Sequence, residues 1–252
     1  MTELMAGAEP WSVDGGPVGA LCVHGFTGNP TSMRPVAQAF AAAGFSVELP
    51  LLPGHGTTVE DMITTGWADW TAAAEAAYQR LAARCEQVAV AGLSMGGSLT
   101  IWLATKHPEI AGIVCINPVT QPQPDEVLDM VRGMVAEGED CIPGIGSDIA
   151  DPGAVGSSYP QTPLAPLLSL MDGLAGLQAD LGAIDCPVLI MTSPNDHVVE
   201  PASSDHLANS VSGPVERITL ERSYHVATLD YDAELIRQEA VAFAQKVTAG
   251  AN

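Results

Sequence analysis

The feature that most constrains this chain is a serine in a glycine-flanked turn between a strand-like run and a helix-like run. Residues Gly92–Gly96 read G-x-S-x-G around Ser94, after the apolar run Gln87–Ala91 and before the helical stretch Ser98–His107. The pentapeptide alone also fits an ordinary Gly-Ser turn, but its flanks favour a sharp strand–turn–helix junction. Such a turn strains the serine backbone, and the glycines remove Cβ atoms that would clash. The pattern therefore predicts a nucleophilic serine at the amino end of a helix.

Strand-like and helix-like runs alternate along most of the chain. Alternation in βαβ order predicts an α/β fold with a doubly wound, mostly parallel sheet. The carboxyl ends of the strands should then meet at one edge of that sheet. The predicted strands are Val18–His24, Phe45–Leu49, Val88–Ala91, Gly112–Asn117, Pro187–Thr192 and Val215–Leu220, and the predicted helices are Met33–Ala43, Trp67–Ala83, Ser98–Lys106, Ala202–Ser210 and Ala233–Val247.

One interval, from Pro118 to about Leu181, breaks this rhythm. It contains two amphipathic helix candidates, Asp125–Ala136 and Leu164–Leu177, among prolines and glycine-rich turns. These helices could be ordinary core elements. Because the interval follows a strand carboxyl end, we expect it to project over the site edge as a lid. The predicted organisation is a core of residues 1–117 and 182–252 with a cap inserted at residues 118–181.

Charge and composition narrow the possible partners. Nine Lys and Arg against thirty Asp and Glu give a net charge of −21, which disfavours nucleic acid and anionic lipid and leaves neutral small molecules. No apolar run reaches the ~18 residues of a membrane span. The acidic amino terminus does not read as a signal peptide, so we expect a cytoplasmic protein with at most transient membrane contact through the cap. The five cysteines lack metal-type spacing, and no metal or cofactor is expected.

A serine hydroxyl needs a general base before it attacks efficiently. Only two histidines, His206 and His225, follow the late acidic candidates by a useful distance. His206 falls within a predicted helix, whereas His225 lies in the loop after the last predicted strand. We therefore predict that His225 is the base.

The base in turn needs an acid that orients it. Asp196 follows the predicted strand Pro187–Thr192 directly, at a strand carboxyl end, and is our candidate, with Glu200 and Asp230 as alternatives. The resulting order of serine, acid and histidine along the chain is the one expected for this fold type.

An acyl-transfer site also needs donors for the oxyanion. One should be the backbone N–H of Met95, the residue after the serine. The other should come from the loop His24–Gly28 after the first strand, where Gly25 permits a sharp turn that presents the N–H of Phe26. We expect His24 to hold this loop by a hydrogen bond rather than to take part in chemistry.

Together these motifs resemble the α/β-hydrolase superfamily, and within it the bacterial monoacylglycerol lipases and small carboxylesterases. The resemblance runs nearly end to end. It implies that Ser94 is the nucleophile, Asp196 the acid and His225 the base, and that Phe26 and Met95 form the oxyanion hole beneath a mobile cap that shields an acyl-binding tunnel. The motifs that carry it are His24–Gly28, Leu52–Thr57, Gly92–Gly97, Asn195–Val199 and Ser223–Asp230.

The same resemblance suggests two substrate contacts in the cap. Ile145 matches the part of the family cap that narrows above the alcohol side of the site. Gly156 stands where the monoacylglycerol lipases carry a glutamate for the glycerol hydroxyls, with Ser157 or Ser158 as possible replacements. Loss of the glutamate predicts a weaker preference for glycerol.

The sequence thus predicts a serine carboxylic-ester hydrolase that cleaves neutral acyl esters, such as monoacylglycerols, through an acyl-enzyme on Ser94. Two alternatives remain open. The same triad could serve a thioesterase, an amidase or a perhydrolase. A ligand-binding module on the same fold is a different class, although such modules often lose a triad member and none is missing here.

Overall fold

The computed structural model describes residues 2–249, which form nine strands and eight α-helices. The strands are β1 (Trp11–Val13), β2 (Val18–Val23), β3 (Ser46–Leu49), β4 (Gln87–Leu93), β5 (Gly112–Ile116), β6 (Cys141–Pro143), β7 (Gln161–Pro163), β8 (Val188–Thr192) and β9 (Val215–Thr219). The helices are α1 (Arg34–Ala42), α2 (Val59–Ile63), α3 (Trp67–Ala82), α4 (Met95–Lys106), α5 (Asp125–Ala136), α6 (Leu164–Leu177), α7 (Ala202–Ser210) and α8 (Ala233–Thr248). No helix in this part of the chain is both long and apolar enough to cross a bilayer.

Seven of the strands form one sheet in the order β1-β3-β2-β4-β5-β8-β9. Only β1 runs antiparallel, against β3, and the other neighbours in the sheet are parallel. The predicted doubly wound, mostly parallel α/β sheet is confirmed. The carboxyl ends of β2, β4, β5, β8 and β9 therefore meet at one edge, where Phe26, Ser94, Asp196 and His225 follow β2, β4, β8 and β9.

Helices cover both faces of the sheet, so the central strands are buried on both sides. Val88 and Val90 of β4 pack with α3 and α4, whereas Ala89 and Ala91 of the same strand pack with α1 and α8. A strand buried on both faces reads as a continuous apolar run rather than as an alternating one, which is the pattern that predicted β4.

Most element boundaries lie within two residues of the sequence prediction. The exception is α4, which begins at Met95 and not at Ser98. Glycines at 96 and 97 have low helix propensity, so the sequence predicted a later start, but the close packing of this helix requires them. The sequence prediction missed β1, α2 and the hairpin of β6 and β7. Each has at most five residues, too few to show a hydrophobic period.

The interval 118–181 holds α5, the β6–β7 hairpin and α6. Helix α6 is not separate from the rest of the molecule, since its Leu170 and Leu174 enter the apolar cluster that contains α3 and α4. Its Ser169 hydroxyl also accepts a hydrogen bond of 3.0 Å from the N–H of Trp67, at the start of α3. The division into a core and a mobile cap stays a prediction.

Helix α4 approaches β2 so closely that only glycine fits at position 96. A Cβ there would overlap the carbonyl oxygen of Val23 and lie 2.7 Å from that of His24. Backbone atoms on the neighbouring strand cannot move aside as a flexible side chain could. The position of α4, and of the turn before it, therefore depends on this residue.

We expect Gly96→Ala to lower the free energy of unfolding by about 3 kcal/mol or to abolish folding, because the added methyl overpacks a backbone contact. Gly176→Ala is the matched control. Gly176 lies in the last turn of α6, and no atom lies within 4 Å of the position that a Cβ would occupy. Because alanine has the higher helix propensity, Gly176→Ala should stabilise the protein by about 0.5–1 kcal/mol. Urea denaturation of both variants measures the difference. Equal stabilities would contradict the argument.

Candidate active site

Ser94 lies in a strained turn between β4 and α4. Its φ of 57° and ψ of −121° place a non-glycine residue in a region that L-residues seldom adopt. The turn is held from the sheet, since the Ser94 N–H donates to Ile116 O at 3.0 Å and the Ser94 carbonyl accepts from Val119 N at 3.4 Å. The side chain stays 7% exposed at the edge of the sheet. The serine is thus fixed in place in a nearly buried position.

The structure brings His225 and Asp196 together. The ring Nδ1 of His225 lies 2.7 Å from Asp196 Oδ2, and the two side chains are only 8% and 2% exposed. The other carboxylate oxygen accepts from the N–H groups of Val198 and Val199, both at 2.8 Å, as in an Asx turn. Because Asp196 accepts from Nδ1, the neutral ring carries its proton there and leaves the lone pair of Nε2 available as a base.

The alternative acids and the alternative base lie elsewhere. Both oxygens of Asp230 accept backbone N–H groups, those of Ala150 and Tyr224 among them. Glu200 is exposed and lies two residues before α7, where its carbonyl accepts from Ser203 N. His206 Nε2 lies 2.7 Å from the side-chain oxygen of Gln178. None of the three contacts the His225 ring within the described residues.

Asn117, at the end of β5, links the serine turn to the histidine loop. Its Nδ2 donates to His225 O at 2.8 Å, and its Oδ1 accepts from Ser193 N at 2.7 Å. It directly follows Ile116, whose carbonyl holds Ser94. No hydrogen bond joins the Ser94 hydroxyl to the His225 ring within residues 2–249, and such catalytic bonds often tighten only around bound substrate.

Two backbone N–H groups beside the serine are free to bind an anion. Met95 opens α4, where the N–H groups of a first helical turn have no partner in the helix. The loop that carries Phe26 lies against the serine, since a Cβ on Gly25 would be 3.2 Å from Ser94 Cβ. Neither N–H has an acceptor in the part of the chain that the structure describes. That this pair stabilises an oxyanion formed at Ser94 stays a prediction.

Hydrogen bonds from buried groups hold this loop. His24 Nε2 accepts from Leu52 N at 3.2 Å, and its Nδ1 donates to the Gly25 carbonyl at 3.0 Å. One neutral tautomer satisfies both bonds, and burial lowers the pKa of His24 to about 3. His24 therefore acts on loop structure, as the sequence indicated. Thr27, with a φ of 59°, is tied to the inserted segment because its carbonyl accepts from Tyr159 N.

His55 packs edge-on against His24 and Trp70 below the loop, with ring centroids 5.1 and 5.6 Å away. Its Nδ1 donates to Pro53 O, which also accepts from Trp70 Nε1, while its Nε2 has no partner among the described residues. Burial lowers the pKa of His55 to about 4. The ring is thus neutral in the folded protein, and only one of its two nitrogen atoms makes a hydrogen bond among the described residues.

The predicted substrate contacts lie on the inserted segment. Ile145 is 65% exposed. Gly156 packs against Ser147 so tightly that any Cβ would overlap the serine side chain. Ser157 Oγ accepts from Asn29 Nδ2 at 2.8 Å, and Ser158 Oγ lies 3.4 Å from Ser147 Oγ. That Ile145 and Gly156 touch substrate stays a prediction.

The low pKa of His55 predicts a pH-dependent difference in stability. The unfolded chain takes up a proton on this histidine as the pH falls below about 6.5, whereas the folded protein does so only near pH 4. This contribution to stability is complete above pH 6.5 and is lost on acidification. As the pH is lowered from 6 to 4, the free energy of unfolding of His55→Leu should fall less steeply than that of the wild type. The two slopes should differ by up to about 1.4 kcal/mol per pH unit. Urea titrations at several pH values measure the slope, and identical slopes would contradict the prediction.

Comparison with known proteins extends over nearly the whole chain. A family model described as the alpha/beta hydrolase family matches residues 20–238. The chain is 45% identical over 246 residues to the thermostable monoacylglycerol lipase of Bacillus sp. (strain H-257), covering 96% of each chain. It is 27% identical over 241 residues to a carboxylesterase of Bacillus subtilis (strain 168), covering 95% of this chain and 97% of that one.

Solved structures share the architecture. One from work on the metagenome-derived lipolytic enzymes LipS and LipT superimposes with a TM-score of 0.92 at 41% identity, covering 97% of this chain and all of the other. The monoacylglycerol lipase of Paleococcus ferrophilus gives a TM-score of 0.77 at 17% identity, covering 95% of this chain and 99% of the other. At that identity the likeness concerns the fold alone.

Proposed function

This chain belongs to the alpha/beta hydrolase family, and we propose that it is a serine carboxylic-ester hydrolase that cleaves neutral acyl esters, monoacylglycerols among them. One observation carries the proposal. A buried His225–Asp196 pair lies at the same edge of the sheet as a strained serine that has two free backbone N–H groups beside it. Relatives that are called a monoacylglycerol lipase and a carboxylesterase support the same chemistry.

The proposed reaction follows the roles that these groups can take. Ser94 Oγ attacks the ester carbonyl while His225 Nε2 takes its proton, and Asp196 keeps the imidazolium oriented and stabilised. The carbonyl oxygen becomes an oxyanion between the N–H groups of Phe26 and Met95. His225 then protonates the leaving alcohol, and an acyl-enzyme remains on Ser94. Water, activated by the same histidine, attacks the acyl-enzyme and releases the acid.

The charge and the inserted segment support a neutral substrate. A net charge of −21 repels anionic head groups at long range. Gly156 leaves no room for a side chain beside Ser147, so this position supplies no group for glycerol hydroxyls, and the Ser157 hydroxyl already accepts a hydrogen bond from Asn29. We therefore propose that the alcohol portion is held loosely and that monoacylglycerols are accepted among other esters.

We also propose a cytoplasmic location with at most transient contact with lipid. All five cysteines are unpaired thiols, as in a reducing compartment. Helix α5 exposes Val127, Met130 and Val135, which could meet a neutral lipid surface. Cell fractionation and sedimentation with phosphatidylcholine vesicles would test the two statements separately.

Ser94→Ala should abolish turnover of a nitrophenyl ester and covalent labelling by a fluorophosphonate, because no other group can form the acyl-enzyme. Ser98→Ala is the matched control. Ser98 lies one turn further along α4 and donates to the Val119 carbonyl. This variant should keep activity and labelling. Wild-type turnover by Ser94→Ala would exclude the proposed mechanism.

A second experiment tests the alcohol specificity. We expect kcat/KM for a monoacylglycerol to exceed that for the ethyl ester of the same acyl chain by less than about 10-fold, since sites built to bind hydroxyls discriminate by about 10⁴-fold. Hydrolysis of both esters, with an acyl-CoA and an aryl amide of matched acyl length, gives the comparison. A strong glycerol preference would mean that other groups bind the hydroxyls, and a faster thioester or amide would replace the ester proposal.

A further inference from the structure

A carboxylate from the inserted segment holds the backbone of the proposed catalytic base. Asp148 Oδ2 accepts from the backbone N–H of His225 and from that of His197, both at 3.1 Å. Its Oδ1 lies 2.8 Å from His197 Nδ1. The Asp148 side chain is 10% exposed, and its own carbonyl accepts from Val226 N at 3.0 Å. One residue thus joins the loop of the acid to the loop of the base.

Asp148 begins a strap, residues 148–159, whose first turns are fixed to the same loop. The Asp230 carboxylate accepts from the N–H groups of Ala150 and Asp151 at 2.7 and 3.0 Å, and from Tyr224 N at 2.9 Å. Strap and histidine loop therefore share two buried or half-buried carboxylates. Neither segment can move away without breaking both sets of bonds.

The far end of the strap is fixed to the opposite side of the site. Tyr159 N donates to Thr27 O at 3.0 Å, next to Phe26 in the proposed oxyanion loop. The Tyr159 hydroxyl donates to Gly54 O and accepts from Thr57 N, at 2.8 and 2.9 Å. The strap therefore spans from the base to the oxyanion donors.

The loop that carries His225 depends on these hydrogen bonds because it lies outside the strands and the long helices. Asp196 fixes the ring through Nδ1, but one hydrogen bond leaves the ring free to pivot about that contact. Asp148 fixes the backbone of the same residue, and Asn117 holds its carbonyl. Bonds to a carboxylate are about twice as strong as neutral ones. Together they define where Nε2 can lie.

We propose that Asp148 is a positioning residue that sets the placement of His225, and so couples the inserted segment to the proposed general base. This inference rests on the proposed ester hydrolase function. It requires that residues 148–151 stay fixed during turnover, and that any opening for substrate occurs elsewhere in the inserted segment. Its signature is a change in kcat rather than in KM.

Asp148→Ala should lower kcat by about 10- to 100-fold while KM changes less than about 3-fold, since small misplacements of catalytic groups have effects of this size. Asp148→Asn should retain kcat within about 3-fold, because its amide oxygen can still accept from both backbone N–H groups. Glu48→Ala is the matched control. Glu48, on β3, is a buried carboxylate that binds Arg80 and Arg84, each at 3.0 Å, and has no bond to the strap or the histidine loop among the described residues. The Glu48→Ala variant should have a lower free energy of unfolding than the wild type and the same kcat.

A spectroscopic readout separates positioning from simple destabilisation. The proton between His225 Nδ1 and Asp196 should give a downfield ¹H resonance in the wild type, shifted or broadened in Asp148→Ala and unchanged in Asp148→Asn and Glu48→Ala. If Asp148→Ala does not fold, Asp148→Ser is measured instead, because its short hydroxyl cannot reach both N–H groups. The wild-type His225 amide must also exchange slowly with solvent. Fast exchange, or an alanine or serine variant with unchanged kcat and resonance, overturns the inference.

Fluorophosphonate labelling distinguishes the failure of this inference from failure of the proposed function. If wild-type Ser94 is not labelled, the ester hydrolase proposal fails. If the wild type is labelled and Asp148→Ala reacts at the same rate, only the role of Asp148 is refuted. Slower labelling of Asp148→Ala, with Glu48→Ala at the wild-type rate, supports it.

Discussion

The rest of the site depends on the close contact of α4 with β2. Gly96 lies against the carbonyl of Val23, and this contact sets how sharply the chain turns after β4. The sharp turn gives Ser94 its positive φ and leaves the Met95 N–H without a helical partner. The same contact brings the loop after β2 against the serine. The proposed nucleophile and the two proposed hydrogen-bond donors to the oxyanion thus depend on one close backbone approach that only glycine allows.

Parallel strands bring the loops to one edge, but they do not fix them to within an ångström. At that edge buried side chains complete the positioning. Asn117, with a φ of 42°, bonds both the start of the acid loop at Ser193 and the carbonyl of His225. Thr27 and Ser94 are the other described non-glycine residues with positive φ, and both also follow a strand of this edge. Backbone strain is concentrated where the geometry matters and is balanced by the sheet and by buried hydrogen bonds.

The longer strands and helices and the Asp196–His225 pair were predictable because each leaves a local signal, such as an apolar run or a polar residue just after a strand, whereas β1, α2 and the β6–β7 hairpin are too short to leave one. The contacts of Asn117, Asp148 and Tyr159 leave none. They join residues 49 to 132 positions apart, as in the bonds from Asp148 to His197 and from Tyr159 to Thr27. Asn117 alone carried a hint, since asparagine tolerates a positive φ at a strand end. The tight packing of Gly156 against Ser147 was equally invisible, because it depends on two segments of irregular backbone.

These contacts divide the inserted segment into parts with different freedom to change. The strap from Asp148 to Tyr159 bonds to the histidine loop and to the oxyanion loop, so substitutions that shift it disturb the proposed chemistry as well as the substrate. Helix α5 carries no such bond to either loop among the described residues, and it exposes Met130 to solvent. Substitutions in α5 should therefore disturb the two loops less than substitutions in the strap. A residue in the strap can therefore be replaced only if the new side chain leaves the backbone conformation unchanged. Gly156 has two consequences: it allows the strap to pack against Ser147, and it supplies no side chain that could bind glycerol.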